Sequence, residues 1–170
     1  MPWQKFLEID ARLSEQVRVA ERPGWLRNLA IFFAHSGDSW FWLLALGLVW
    51  LLGYAEWKAK ALTFAAAIIV AAAFVFTIKF YVRRQRPQGE WGGIYRNTDP
   101  HSFPSGHATR AALLAVLAIG LGPPWLAVGL GIWAPLVILA RVGMGVHYLS
   151  DVVAGAVLGV LLGIAGLFLL

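Results

Sequence analysis

Five apolar stretches dominate the chain, at about 39–55, 58–80, 105–121, 124–144 and 148–170. A helix needs roughly 17–25 apolar residues to cross the hydrocarbon of a bilayer. The first and third stretches are short, and flanking Trp and Ser residues at the interface extend them. Hydrophobic residues make up 59% of the chain and charged residues 14%, with mean hydropathy +0.69; an average soluble domain is about 45–50% apolar and about 25% charged. The expectation is an all-α fold, an integral membrane helical bundle with about five to six transmembrane helices plus an N-terminal interfacial amphipathic helix. One domain spans 1–170, with an amphipathic, interfacial region at 1–36 ahead of a transmembrane core at 39–170.

Residues 3–20 set Trp3, Phe6, Leu7, Leu13 and Val17 at near-helical spacing with charges between them. That pattern suits a helix lying in the membrane interface or packed on other helices, ended by Pro23-Gly24. Residues 1–25 carry four acidic residues and no uninterrupted apolar core, so they are not expected to be a cleavable signal. A further apolar piece at 25–35 is too short to span. There are no cysteines, which excludes disulfides and thiolate metal sites. The net charge of +5 comes largely from Lys and Arg beside apolar segments, a placement that suits membrane lipid headgroups and not nucleic acid. In the last span Gly155, Gly159 and Gly163 recur every fourth residue, as helices in close contact require.

Three polar patches interrupt this apolar background. "KFYVRRQRP" (79–87) places Lys79 at the end of one span and Arg86-Pro87 just after it. Alone, such cations only complement a helix C-terminus and mark the interface. "PSGH" (104–107) reads as a helix start, with Ser105 as N-cap and Gly106 allowing close backbone approach. The first N–H groups of that helix form an anion site, and His107 stands beside it. "ARVGMGVHYLSD" (140–151) carries Arg141 at one span end and His147 four residues before Asp151, the spacing of one helix face. A carboxylate on one imidazole nitrogen leaves the other as nucleophile or base, and ionisable groups at membrane depth are costly unless paired or functional.

With five crossings, all three patches fall at span ends on one face of the membrane, whereas unrelated interface anchors scatter over both. Together they offer three cations, a helix N-terminus and two histidines, one backed by a carboxylate. That set fits a tetrahedral anion attacked on one side and released on the other, so the expected chemistry is phosphoryl transfer through a phosphohistidine. Arg96, Asp99 and His101 read as solvated loop over the site, and His35 and Asp38 precede the first span on the same face.

Lys79-x6-Arg86-Pro87, then Pro104-Ser105-Gly106-His107, then Arg141-x5-His147-x3-Asp151 resembles the three-part signature of the type-2 phosphatidic acid phosphatase superfamily. That group also holds bacterial acid phosphatases and vanadium haloperoxidases, and its members most similar in kind are bacterial phosphatidylglycerophosphate and undecaprenyl pyrophosphate phosphatases. Two departures stand out: Ala140 occupies a position that is usually Ser, and membrane members commonly have six spans. The resemblance implies that His147 attacks phosphorus, oriented by Asp151, and that His107 protonates the leaving oxygen. It implies that Lys79, Arg86, Ser105, Gly106 and Arg141 bind the phosphoryl oxygens, with no metal and no cofactor.

The implied substrate is a lipid phosphate: undecaprenyl pyrophosphate, phosphatidylglycerophosphate, or phosphatidic acid and its relatives. A lipid phosphotransferase using the same site is the main alternative, told apart by its product, and a non-enzymatic lipid-binding protein is another. The soluble haloperoxidases are disfavoured by this composition. The resemblance also points to a bacterial cytoplasmic membrane with the site on its outer face. The arginines at 83–96 alone, by the positive-inside rule, argue the reverse.

Overall fold

The computed structural model describes residues 2–89, 91 and 99–169. Its elements are α1 (Pro2–Gln16), α2 (Trp25–Ser36), α3 (Ser39–Leu52), α4 (Ala55–Val82), α5 (Gly106–Leu121), α6 (Pro124–Gly143) and α7 (Leu149–Leu169). No strand occurs among the described residues. Arg96 and Glu90 of the polar segment lie outside the described residues.

Local chemistry sets the helix ends. The alanine-rich α4 stops where Arg83 turns left-handed at φ 50° and its N–H bonds the Lys79 carbonyl. The Ser105 hydroxyl caps α5 by accepting the Ala108 N–H, and Pro124 opens α6 at a position where no N–H is needed.

Three helices, α4, α6 and α7, are long and apolar enough to cross a membrane. The piece at 25–35, too short to span by itself, adjoins the first span. It forms α2, which joins α3 through a 56° bend, and the pair together is long enough for a fourth crossing. The break falls at Gly37-Asp38, between the two helices. The 16-residue α5 is shorter, and it is the axis of the bundle. Nine of its residues are buried, Leu113, Leu114 and Leu117 packing with Phe64, Ile68 and Ala71 of α4 and Leu130 of α6. The outward residues are large and apolar, among them Phe76, Ile69, Leu161 and Phe168, as a lipid-facing surface requires.

In lipid, helices gain little from hydrophobic transfer and associate by close packing. Here α5 and α7 meet along the glycine stripe. A Cβ on Gly159 would lie 2.1 Å from the Thr109 carbonyl oxygen, and one on Gly155 2.5 Å from that of Ser105. The stripe therefore fixes the distance between the two helix starts that carry His107 and Asp151.

Candidate active site

The C-terminal ends of α4 and α6 and the N-terminal ends of α3, α5 and α7 converge at one end of the bundle. They enclose a cavity of about 360 Å³ lined by Lys79, Arg86, Gly106, His107, Arg141 and His147. Asp38, Ser39, Asp99 and Arg110 complete its polar part, and Ile68, Ala71, Val75 and Phe76 of α4 with Trp40 of α3 form an apolar wall. Cations and an apolar wall from α3 and α4 thus share one space.

Lys79, Arg86 and Arg141 are all nearly inaccessible. Arg86 donates from Nε to the Asp99 carbonyl (2.7 Å) and from Nη1 to the Val146 carbonyl (2.8 Å), which fixes the guanidinium against the turn before α7. Its Nη2 donates to Asp99 Oδ2 at 2.8 Å, and Lys79 Nζ bonds the same oxygen. Asp99, expected as solvated loop, therefore rests its carboxylate on two of the three cations. His101 meets Gln85 in a short antiparallel bridge and is half-buried.

His147 sits in the turn between α6 and α7, with Gly145 at φ +64° two residues before it. Its Nε2 lies 3.2 Å from Arg86 Nη1 inside the cavity. Its Nδ1 faces Asp151 Oδ2 at 3.6 Å, longer than a hydrogen bond. Catalytic hydrogen bonds often tighten only with substrate present. Asp151 is itself fully buried and accepts the Tyr148 N–H at 2.9 Å through the same oxygen. The geometry places the proton on Nδ1, toward the carboxylate, and leaves the Nε2 lone pair to the cavity.

Burial pushes the His147 imidazole down from 6.5 to about 3, with Arg86 and Arg141 acting in the same direction and Asp151 opposing them. The ring is neutral at physiological pH, as a nucleophile must be. An unfolded imidazole takes up its proton near 6.5, so the unfolded chain binds more protons between the two values. The stability contributed is full above 6.5 and is lost as the pH falls. The melting temperature in detergent is expected to drop on acidification from about pH 7 to about pH 5 by several degrees more in wild type than in His147→Gln. Equal drops would remove His147 as the source.

His107 stands one residue inside α5, with Nε2 2.8 Å from Asp38 Oδ1. The other Asp38 oxygen is 3.3 Å from His35 Nδ1. Arg110 holds this carboxylate in place: its Nε donates to the Gly37 carbonyl at 2.9 Å, its Nη2 to the same oxygen, and its Nη1 to Ser39 Oγ at 2.5 Å. The break between α2 and α3 thus has a purpose, since it turns Asp38 onto His107. Ser105 is fully buried and does not line the cavity; its hydroxyl caps α5, and its N–H donates to the Asp151 carbonyl at 3.0 Å. Gly106 is left to present the α5 backbone to the cavity.

Sequence reasoning assigns no partner to His107, and it passes over Arg110 altogether. The signal for Arg110 is an arginine inside an apolar span, which in lipid marks a functional or paired group. For Asp38 it is a Gly-Asp break ahead of the first span.

The PAP2 superfamily profile matches residues 60–169. The chain is 35% identical over 160 residues to decaprenylphosphoryl-5-phosphoribose phosphatase of Mycobacterium tuberculosis, covering 92% of this chain and 86% of that protein. It is 30% identical to undecaprenyl-diphosphatase of Sulfolobus acidocaldarius, covering 79% of this chain and 66% of that protein. Among solved structures it superposes on a transmembrane PAP2 type phosphatidylglycerolphosphate phosphatase from Bacillus subtilis with TM-score 0.75. That match has 24% identity and covers 95% of this chain and 84% of that one. Aquifex aeolicus LpxE gives TM-score 0.73 at 24% identity, covering 92% and 93% of the two chains. The matched residues take in all three polar patches, and the chain belongs to the PAP2 superfamily.

Proposed function

We propose that this membrane lipid phosphatase removes phosphate from a lipid phosphomonoester or pyrophosphate through a covalent phosphohistidine on His147, without a metal. The observation that carries the reading is the cavity in which buried Lys79, Arg86 and Arg141 and both histidines face an apolar wall. Lys79, Arg86, Arg141 and the Gly106 N–H take the phosphoryl oxygens and stabilise the charge that builds on them. His147 Nε2 attacks phosphorus: the P–N bond forms as the bond to the leaving oxygen breaks, and His107 gives that oxygen its proton. His107 then takes a proton from water, the water oxygen attacks phosphorus as the P–N bond to His147 breaks, and inorganic phosphate leaves. The Asp38 carboxylate supports the imidazolium form of His107 that gives the proton in the first step and is restored by water in the second. The lipid tail lies along Phe76 and Val75 of α4 and Trp40 of α3.

The relatives named for polyprenyl-linked substrates support a polyprenyl lipid above a glycerolipid. The family also supports placement in a bacterial cytoplasmic membrane with the cavity at its outer face. The test is phosphate release by detergent-purified protein in EDTA. The substrate panel holds decaprenylphosphoryl-5-phosphoribose, undecaprenyl pyrophosphate, phosphatidylglycerophosphate and phosphatidic acid. Release that survives EDTA is expected, fastest with the polyprenyl substrates; transfer to an alcohol without free phosphate would replace hydrolysis by phosphotransfer.

The role given to His107 has its own signature. His107→Ala and Asp38→Asn are expected to slow hydrolysis of an alkyl phosphate by about 10²-fold or more. p-Nitrophenyl phosphate, whose leaving group needs no proton, is expected to suffer far less in kcat/KM, which reads formation of the phosphohistidine and not its breakdown. Equal losses on both substrates would rule out proton donation by His107.

A further inference from the structure

Arg84 precedes Arg86 by two residues but does not line the cavity. Its Nη1 donates to Asp151 Oδ1 at 2.8 Å and to Ser150 Oγ at 2.6 Å, and its Nη2 donates to Asp10 Oδ2 at 2.7 Å. The guanidinium also stacks on the Tyr148 ring, 4.0 Å from its centroid. One arginine therefore bridges two buried carboxylates, one from the catalytic turn and one from α1. Asp10 closes the network by accepting the Ser150 N–H at 3.0 Å and the Ser150 hydroxyl at 2.5 Å.

The way α1 docks is unusual for an amphipathic helix. One packed on protein buries its apolar stripe, yet α1 leaves Trp3, Phe6, Ile9 and Leu13 exposed. The two residues it buries are polar, Asp10 and Ser14, and the Ser14 hydroxyl accepts the Leu149 N–H at 2.9 Å. The exposed stripe suits a bilayer surface, while the buried groups reach the first turn of α7.

We infer that Arg84 is a positioning residue for the His147–Asp151 pair, held in place by Asp10, so that α1 belongs to the catalytic machinery. The inference rests on the phosphohistidine reading above. Asp151 has two oxygens to place. Arg84 fixes Oδ1, which sets the plane of the carboxylate, and Oδ2 is thereby aimed at the Tyr148 N–H and His147 Nδ1. Without the arginine the carboxylate is free to rotate, and His147 loses the orientation that points Nε2 at phosphorus. Lysine reproduces the charge but not the fork that spans both carboxylates. Arg84 makes no contact in the cavity, so its loss acts on the chemical step and leaves phosphate binding alone.

The experiment compares wild type, Arg84→Ala, Arg84→Lys, Asp10→Asn and the double variant Arg84→Ala/Asp10→Asn as full-length protein in detergent. It reads kcat, KM and inhibition by orthovanadate. Arg84→Ala is expected to lower kcat about 10²-fold, with KM and the vanadate constant within about twofold of wild type. Arg84→Lys recovers part of the loss. Asp10→Asn lowers kcat about tenfold alone and adds nothing in the Arg84→Ala background, because it acts through the arginine. Unchanged kcat in Arg84→Lys and Asp10→Asn overturns the inference even if the alanine variant fails to fold. Parallel losses in kcat, KM and vanadate binding overturn it too, since they mark a structural role. Failure of wild type to release phosphate sinks the underlying reading instead, and the two failures are told apart in the same assay.

Discussion

His147→Ala is expected to lower phosphate release by about 10⁴-fold or more, the scale seen when a covalent nucleophile is removed. The imidazole is held from several sides. Arg86 is pinned to the Val146 carbonyl and stands 3.2 Å from Nε2, while Asp151 faces Nδ1 from the first turn of α7. The other imidazole among the described cavity side chains is His107, whose Nε2 is engaged by Asp38. Alanine leaves Lys79, Arg86 and Arg141 in place, so vanadate and phosphate should still bind. Binding without turnover is the expected pattern, measured by phosphate release and by vanadate-dependent stabilisation against heat. Residual turnover within about tenfold of wild type would mean that water attacks the lipid phosphate directly.

Gly159→Val is expected to lower stability by at least about 1–3 kcal/mol, the usual range for overpacking. The first added carbon alone would lie 2.1 Å from the Thr109 carbonyl oxygen and 3.0 Å from Ala112 Cβ, and both belong to α5. Neither can step aside, because α5 is buried along its length between α4, α6 and α7. The helices must separate. Separation moves Asp151 and His147 away from Ser105 and His107, so activity should fall together with the melting temperature in detergent. Gly129→Ala is the control, since nothing lies within 4 Å of a Cβ at that site. A Gly159→Val variant as heat-stable and active as Gly129→Ala would show that α5 and α7 do not touch in this way.

The apolar periods and the three motifs make the bundle and most of the site legible in the amino-acid sequence alone. Span ends follow from the runs of apolar residues, and parity brings Lys79, His107, Arg141 and His147 to one face. What stays hidden are the contacts made across the chain by single polar residues. Asp38 reaches His107 over 69 positions and Arg84 reaches Asp10 over 74, separations that no local pattern encodes. The 56° bend between α2 and α3 is equally unreadable, because each half is an acceptable helix by itself. The amphipathic spacing of α1 is legible in its sequence, whereas the polar face by which it docks is not. The cap of α5 is legible too: Ser105 ahead of Gly106 reads as an N-cap, and its hydroxyl accepts the Ala108 N–H.

The most direct test of the mechanism is to quench turnover of a ³²P-labelled polyprenyl phosphate in base within one catalytic cycle and map the labelled peptide. Phosphate that survives base, is released by acid and maps to His147 is the expected result. Labelled phosphate that appears only as the free ion, with no protein-bound fraction at any time during turnover, would contradict the covalent mechanism and leave direct attack by water in its place.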